Sequence, residues 1–131
     1  MASVFSKIVA GEIPCFKIAE NDNFMAFLDV NPLVEGHTLV IPKKEVDYLF
    51  DLDEETYTGL MSFAKKVAKA VKAAIPCKRI GVAVIGLEVP HAHIHLVPLN
   101  MMNDINFNKA KLHPSSEELE ATATKIKAAF N

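Results

Sequence analysis

An α+β fold, an antiparallel sheet of about five strands with helices packed on it, is predicted by three observations. Helical apolar spacing occurs before, between and after the β-prone runs, and the first two of those runs are joined by a turn short enough for a hairpin. No strand-helix-strand crossover repeats, as a doubly wound parallel sheet would need. The chain has 131 residues, 50% of them hydrophobic, which suits one packed domain over 1–131 without disulfide staples. No repeat, low-complexity tract or Gly/Ser linker divides it.

Taken in order, Ser3 to Ala10 places Val4, Phe5, Ile8 and Val9 on one helical face and stops at Gly11, before Pro14. Cys15 to Ile18 and Phe24 to Val30 read as two strands, separated by the turn-forming Glu20-Asn21-Asp22-Asn23. Asn31-Pro32 breaks the second strand, and Glu35-Gly36 admits a third at His37 to Pro42, whose centre is Thr38-Leu39-Val40-Ile41. From about Asp53 to Ile75, apolar residues at Leu60, Met61, Ala64, Val67, Ala68 and Val71 alternate with lysines at helical spacing. Asp51 or Asp53 caps that helix, Glu54 and Glu55 complement its dipole, and Pro76 ends it. Two more strands, Arg79 to Ile85 and Ala92 to Pro98, flank Gly86 to Pro90, and Ser115-x-x-Glu118 opens a terminal helix with a capping box. Residues 99–114 carry no clear period and read equally as an ordered loop over a site or a mobile connection.

Composition excludes several classes of function. Fourteen Lys and Arg against sixteen Asp and Glu give a charge of -2, so a broad basic surface for duplex nucleic acid is not expected. A small anionic ligand remains compatible. Apolar runs are far shorter than the roughly 20 residues of a membrane span, and the first residues lack the basic-then-apolar order of a signal peptide. The expectation is a soluble, cytoplasmic protein that engages no membrane. Cys15 and Cys77 are too few and too distant for a disulfide framework and are expected as free thiols.

Histidine stands out, because three of the five fall within His91 to His95. In His91-Ala92-His93-Ile94-His95-Leu96-Val97 the histidines alternate with apolar residues, so a strand puts imidazoles on one face and Ala92, Ile94 and Leu96 on the other. A solvated surface coincidence fits poorly with that apolar backing. A metal site is a second reading, with Asp29, His37 or Glu88 as added ligands. His91 and His95 start roughly 13 Å apart along a regular strand, however, and no Cys-x-x-Cys or His-Glu-x-x-His pattern supports the metal. The third reading is nucleophilic catalysis, in which a neutral imidazole attacks phosphorus while its neighbours fix its tautomer and hydrogen-bond the oxygens.

The run His91 to Val97 resembles the His-φ-His-φ-His-φ-φ signature of the histidine-triad superfamily of nucleotide-binding proteins and hydrolases. Phe5-Ser6-Lys7-Ile8-Val9-Ala10-Gly11-Glu12-Ile13-Pro14, Ala26-Phe27-Leu28-Asp29-Val30-Asn31-Pro32 and Gly36-His37-Thr38-Leu39-Val40-Ile41-Pro42-Lys43 resemble its N-terminal blocks in order and spacing. Together these blocks cover most of positions 3 to 98, and the branch they most resemble is that of the purine nucleoside phosphoramidases. The resemblance implies a homodimer that hydrolyses at the α-phosphorus of a purine nucleotide without a cofactor. It implies His93 as nucleophile, His95 near the α-phosphate, His91 and His37 in a supporting relay, and Asp29 on the ribose hydroxyls. Phe5, Ile8, Ile13, Phe27 and Val30 would line the base pocket. Strand alternation independently puts Met25, Phe27 and Asp29 on one face, whereas Phe5, Ile8, Ile13 and Val30 read equally well as core. Dinucleoside polyphosphates as substrates, or nucleotide binding without useful turnover, are the alternatives.

Three departures from the family pattern stand in the sequence. The family's Asn-x-Gly-x-x-Ala-Gly-Gln stretch is replaced by a shorter segment containing Gly86, Leu87 and Glu88, in which the resemblance implies Gly86 and Glu88 as nucleotide-binding positions; a carboxylate at Glu88 repels phosphate unless it pairs with a leaving amine. Many bacterial members carry Cys-x-x-Cys and Lys-Lys-His for a structural zinc. Here those positions are Ser3, Ser6 and Glu45, so no such zinc site is expected. The Pro-Arg that often follows the triad is Pro98-Leu99, which removes a cation suited to longer polyphosphates.

Overall fold

Local hydrogen-bonding capacity sets most element boundaries in the computed structural model, which describes residues 2–130. Ser3 caps α1 (Val4–Val9) by accepting the Ser6 N–H, and Gly11, at φ +82°, carries the chain out of the helix. Then come β1 (Lys17–Glu20), β2 (Phe24–Leu28), β3 (Thr38–Pro42), α2 (Glu54–Ala74), β4 (Arg79–Ala83), β5 (Ile94–Leu99) and α3 (Ser116–Ala129). Single 3-10 turns lie at Leu49–Asp51 and Met102–Ile105. The sheet order is β1-β2-β3-β5-β4, antiparallel at every neighbour. This is the five-stranded α+β architecture expected.

Several strand limits differ from the sequence reading, each for an identifiable reason. β1 lies two residues later than Cys15 to Ile18, because the Asn21 side chain accepts the N–H groups of Asn23 and Phe24 and leaves Glu20 free to pair with Met25. β2 stops at Leu28 rather than Val30, where the Asp29 carboxylate accepts the Asn31 N–H and opens a turn. His37 stays outside β3, its N–H donated to the Val34 carbonyl. The largest difference concerns the triad: β5 starts at Ile94, so His91 and His93 precede the strand. The β3–β5 ladder ends at Val40 and Ile94; two positions on, the partner is Pro42, which has no N–H to give. Ala92 bonds the Val46 carbonyl instead. β4 leaves its ladder after Ala83, one residue beyond the start of β5, rather than at Ile85.

The sheet separates two apolar layers. Phe24, Ala26, Leu28, Val40, Ile94 and Leu96 face α2 and α3 and form the main core with residues such as Leu60, Val67, Val71 and Ile126. Each such large side chain, fully buried, contributes about 1.5–3 kcal/mol. On the other face Met25, Phe27, Leu39 and Ile41 meet Phe5 of α1 in a smaller cluster. α3 opens with both capping-box bonds, Ser115 and Glu118 each accepting the other's N–H. Among the described residues, no helix is long and apolar enough to cross a membrane.

Candidate active site

The alternation across His91 to Leu96 survives the late start of β5. Ala92, Ile94 and Leu96 lie in the main core. The histidines take the opposite face, beside the smaller cluster, where Phe5 meets the rings of His93 and His91 edge-on at centroid distances of 5.0 and 5.8 Å. His37, which enters from the loop before β3, is fully buried, as is His91, and His93 and His95 are nearly so. Buried imidazoles need partners, and these partners dictate where each proton sits.

His91 donates its Nε2–H to the Pro42 carbonyl at 2.8 Å, so its Nδ1 accepts from the Ser3 hydroxyl, also at 2.8 Å. His93 donates its Nδ1–H to the His91 carbonyl at 2.7 Å, which leaves Nε2 with a free lone pair. His37 Nδ1 accepts the Leu33 N–H at 3.0 Å, its Nε2–H is donated to His95 Nδ1 at 2.9 Å, and the proton of His95 therefore resides on Nε2. Two residues apart, His93 and His95 thus carry opposite functions: one an acceptor lone pair, the other a donor.

Burial pushes His37 down to about 3, helped by the charges of His95 and Lys111. His95 falls to about 4, again through burial first and then the charges of His93 and Lys111. Burial lowers His91 too, against the opposing pull of the Pro42 carbonyl and the Glu45 charge. Asp29 is raised by burial, partly countered by the Asn31 N–H. One Asp29 oxygen holds that N–H at 2.9 Å, and the other lies 3.8 Å from His37 Nε2, whose proton is already committed to His95. A carboxylate oxygen therefore remains unengaged at the end of the histidine row.

Of the expected base-pocket residues, Phe5 and Phe27 are brought together at 5.6 Å and are buried, with Ile8 packed against their cluster. Ile13 is half-buried outside that cluster, and Val30 is 49% exposed. Gly86 turns the chain at φ +71° and Glu88 is exposed in the connection to the triad. Ligand atoms of Asp29, His37 and His95 lie within 4.8 Å of one another, close enough for an ion. Glu88 is not in that group, and a cation there would have to displace the proton shared by His37 and His95.

Two residues that the sequence reading did not single out belong to the site. Phe107, from the segment 99–114, lies edge-on to His95 at 4.8 Å and to His37 at 6.1 Å, so part of that segment packs against the site. The positive charge of Lys111 acts on Asp29, His37 and His95 together. Next to Lys111 the backbone is tied to the loop after β2, the Leu112 N–H being donated to the Pro32 carbonyl at 2.9 Å. Leu112 also lines a cavity of about 340 Å³ together with Asp29 and His37. No period or motif marks 107–111, and only the folded chain brings it to the histidines.

Residues 10–102 match the family model described as HIT domain. The adenosine 5'-monophosphoramidase HNT1 of Saccharomyces cerevisiae is 41% identical over 98 residues, covering 74% of this chain and 62% of the yeast protein. A HIT-like protein involved in cell-cycle regulation from Bartonella henselae superposes with a TM-score of 0.85 at 35% identity, over 98% of this chain and 96% of its own. A zinc-bound histidine triad family protein from Mycobacterium smegmatis gives 0.81 at 30% identity, over 98% and 93%. With the family model spanning most of the chain, and relatives at 35–41% identity covering three quarters or nearly all of it, the protein belongs to the HIT, or histidine-triad, family.

Proposed function

We propose that the protein is a purine nucleoside phosphoramidase, hydrolysing at the α-phosphorus through a covalent nucleotidyl-histidine intermediate on His93, without a metal. The observation that carries this reading is the hydrogen bond from His93 Nδ1–H to the His91 carbonyl, which keeps the Nε2 lone pair available. In the first step Nε2 bonds to phosphorus, the P–N bond breaks, and the amine leaves with the electron pair and a proton from solvent. The resulting imidazolium keeps its Nδ1–H on the His91 carbonyl, which stabilises the positive charge. His95 Nε2–H donates to a non-bridging oxygen. Water then attacks phosphorus, Nε2 departs with its lone pair restored, and the nucleoside monophosphate is released with a proton. The free Asp29 oxygen suits the ribose hydroxyls, and Phe5, Ile8, Phe27, Ile13 and Val30 supply the apolar side for the base.

The yeast relative's named activity favours a phosphoramidate over a dinucleoside polyphosphate. Mass spectrometry of protein quenched during turnover of adenosine 5'-phosphoramidate tests the scheme. The expected result is a nucleotidyl adduct on His93, absent in His93→Ala, whose kcat falls by at least about a thousandfold while nucleotide still binds. Undiminished hydrolysis by that variant would overturn the assignment. Faster turnover of a diadenosine polyphosphate by the same preparation would shift the substrate class and leave the nucleophile in place.

The homodimer belongs to the same proposal. β4 is an edge strand, and Val82, Val84, Ile85 and Leu87 on it and just after it are 41–88% exposed, an apolar border that pairing with a second copy would bury.

A further inference from the structure

Ser3 and Ser6 at the start of the chain meet Glu45, from the loop after β3, beside His91. One Glu45 oxygen accepts the Ser3 N–H at 2.7 Å and the Ser6 hydroxyl at 2.6 Å. Ser3 Oγ accepts the Ser6 N–H at 3.0 Å and donates its own proton to His91 Nδ1. These are the positions at which many bacterial members of the family carry thiolates and an imidazole around zinc, and where none was expected here. The donors present do not fit that ion: two are hydroxyls rather than thiolates, and both hydroxyl protons are committed inside the cluster.

We infer that Ser3, Ser6 and Glu45 form a metal-free positioning cluster for His93, acting through His91, an inference that rests on the reading of His93 as nucleophile. The chain of contacts is continuous. The Ser3 hydroxyl holds His91 Nδ1 as an acceptor, so the ring proton stays on Nε2 and is donated to Pro42. Anchored at both nitrogens, His91 cannot rotate, and its carbonyl stays where it receives His93 Nδ1–H. Without the hydroxyl, His91 is free to take its proton on Nδ1. The Pro42 carbonyl then faces a lone pair, and the peptide that orients His93 loses its anchor. Glu45 keeps the serines in place, and its bonds to the Ser3 N–H and the Ser6 hydroxyl hold its carboxyl down at about 2, so it is charged throughout the neutral range.

Ser3 also caps α1, so the test must separate helix stability from positioning. Glycine is nearly as good a cap as serine but has no hydroxyl, whereas threonine keeps it. In the full chain, Ser3→Gly and Glu45→Ala are expected to lower kcat by about tenfold. KM should stay within about twofold, with Ser3→Thr and Glu45→Gln retaining most of the rate. Nitrogen-15 NMR of the His93 ring without substrate should show the Nδ1–H form in the wild type and its partial loss in Ser3→Gly. A fall in Tm with kcat and the tautomer unchanged would overturn the inference, as would bound zinc on which the wild-type tautomer depends. A wild type inactive on phosphoramidates would count against the proposed function, whereas an unchanged His93 tautomer in Ser3→Gly counts against the positioning cluster.

Discussion

His37 and His95 share one proton between Nε2 and Nδ1 in a buried pair, and that arrangement has a measurable cost in acid. In the unfolded chain each titrates near about 6.5, whereas in the fold the values are about 3 and about 4. Between those limits the unfolded chain binds more protons, so the stability present above about pH 6.5 is lost as pH falls through the window. The urea midpoint should therefore drop steadily between about pH 7 and pH 4, and a flat profile would contradict a neutral pair. The histidine register was legible in the sequence because a period-two pattern needs only local backbone geometry. The tautomers were not, since the partner of His95 lies 58 positions away and that of His91 Nδ1 lies 88. Phe107 was illegible for a similar reason: an isolated aromatic in an aperiodic segment has no signature until the chain folds back.

Element boundaries depend on single residues that give or withhold a hydrogen bond. The helices are legible: Asp53, one of two candidate caps, and Ser115 occupy N-caps and Pro76 follows α2, whereas the first helix shows in its apolar spacing and its Ser3 cap shows only in the fold. Strand ends were read less well: Pro42 and Asn21 act on the ladder through neighbours that periodicity does not reveal. Gly36, immediately before His37, shows how tightly one such junction is set. It sits at φ +91°, and a Cβ there would lie 2.9 Å from Ile75 and 3.2 Å from Pro98. Gly36→Ala should therefore cost about 2 kcal/mol or more, read as a lower denaturant midpoint with m unchanged. A midpoint equal to wild type would show that the turn relaxes freely.

For the molecule as a whole, the C-terminal segment completes what the family-matching residues 10–102 begin. α3 packs on α2 and β1, and the segment leading to it brings Phe107 and Lys111 to the histidines. At the opposite border the exposed apolar edge of β4 leads us to expect a dimer. Sedimentation velocity should give twice the chain mass at micromolar concentration, and Val82→Lys should shift it toward monomer. A monomer for the wild type would remove the dimer from the proposal.

The α+β class, the helices and the face on which the imidazoles lie follow from local sequence alone, because periodicity, caps and turn residues act through the backbone within a few positions. Which nitrogen of each histidine carries the proton, the joining of Ser3, Ser6 and Glu45 to His91, and the packing of Phe107 against His37 and His95 came only with the folded chain. Those outcomes depend on hydrogen bonds and contacts between distant segments, and burial, which forces every buried polar atom to find a partner, selects among them only once the chain has closed.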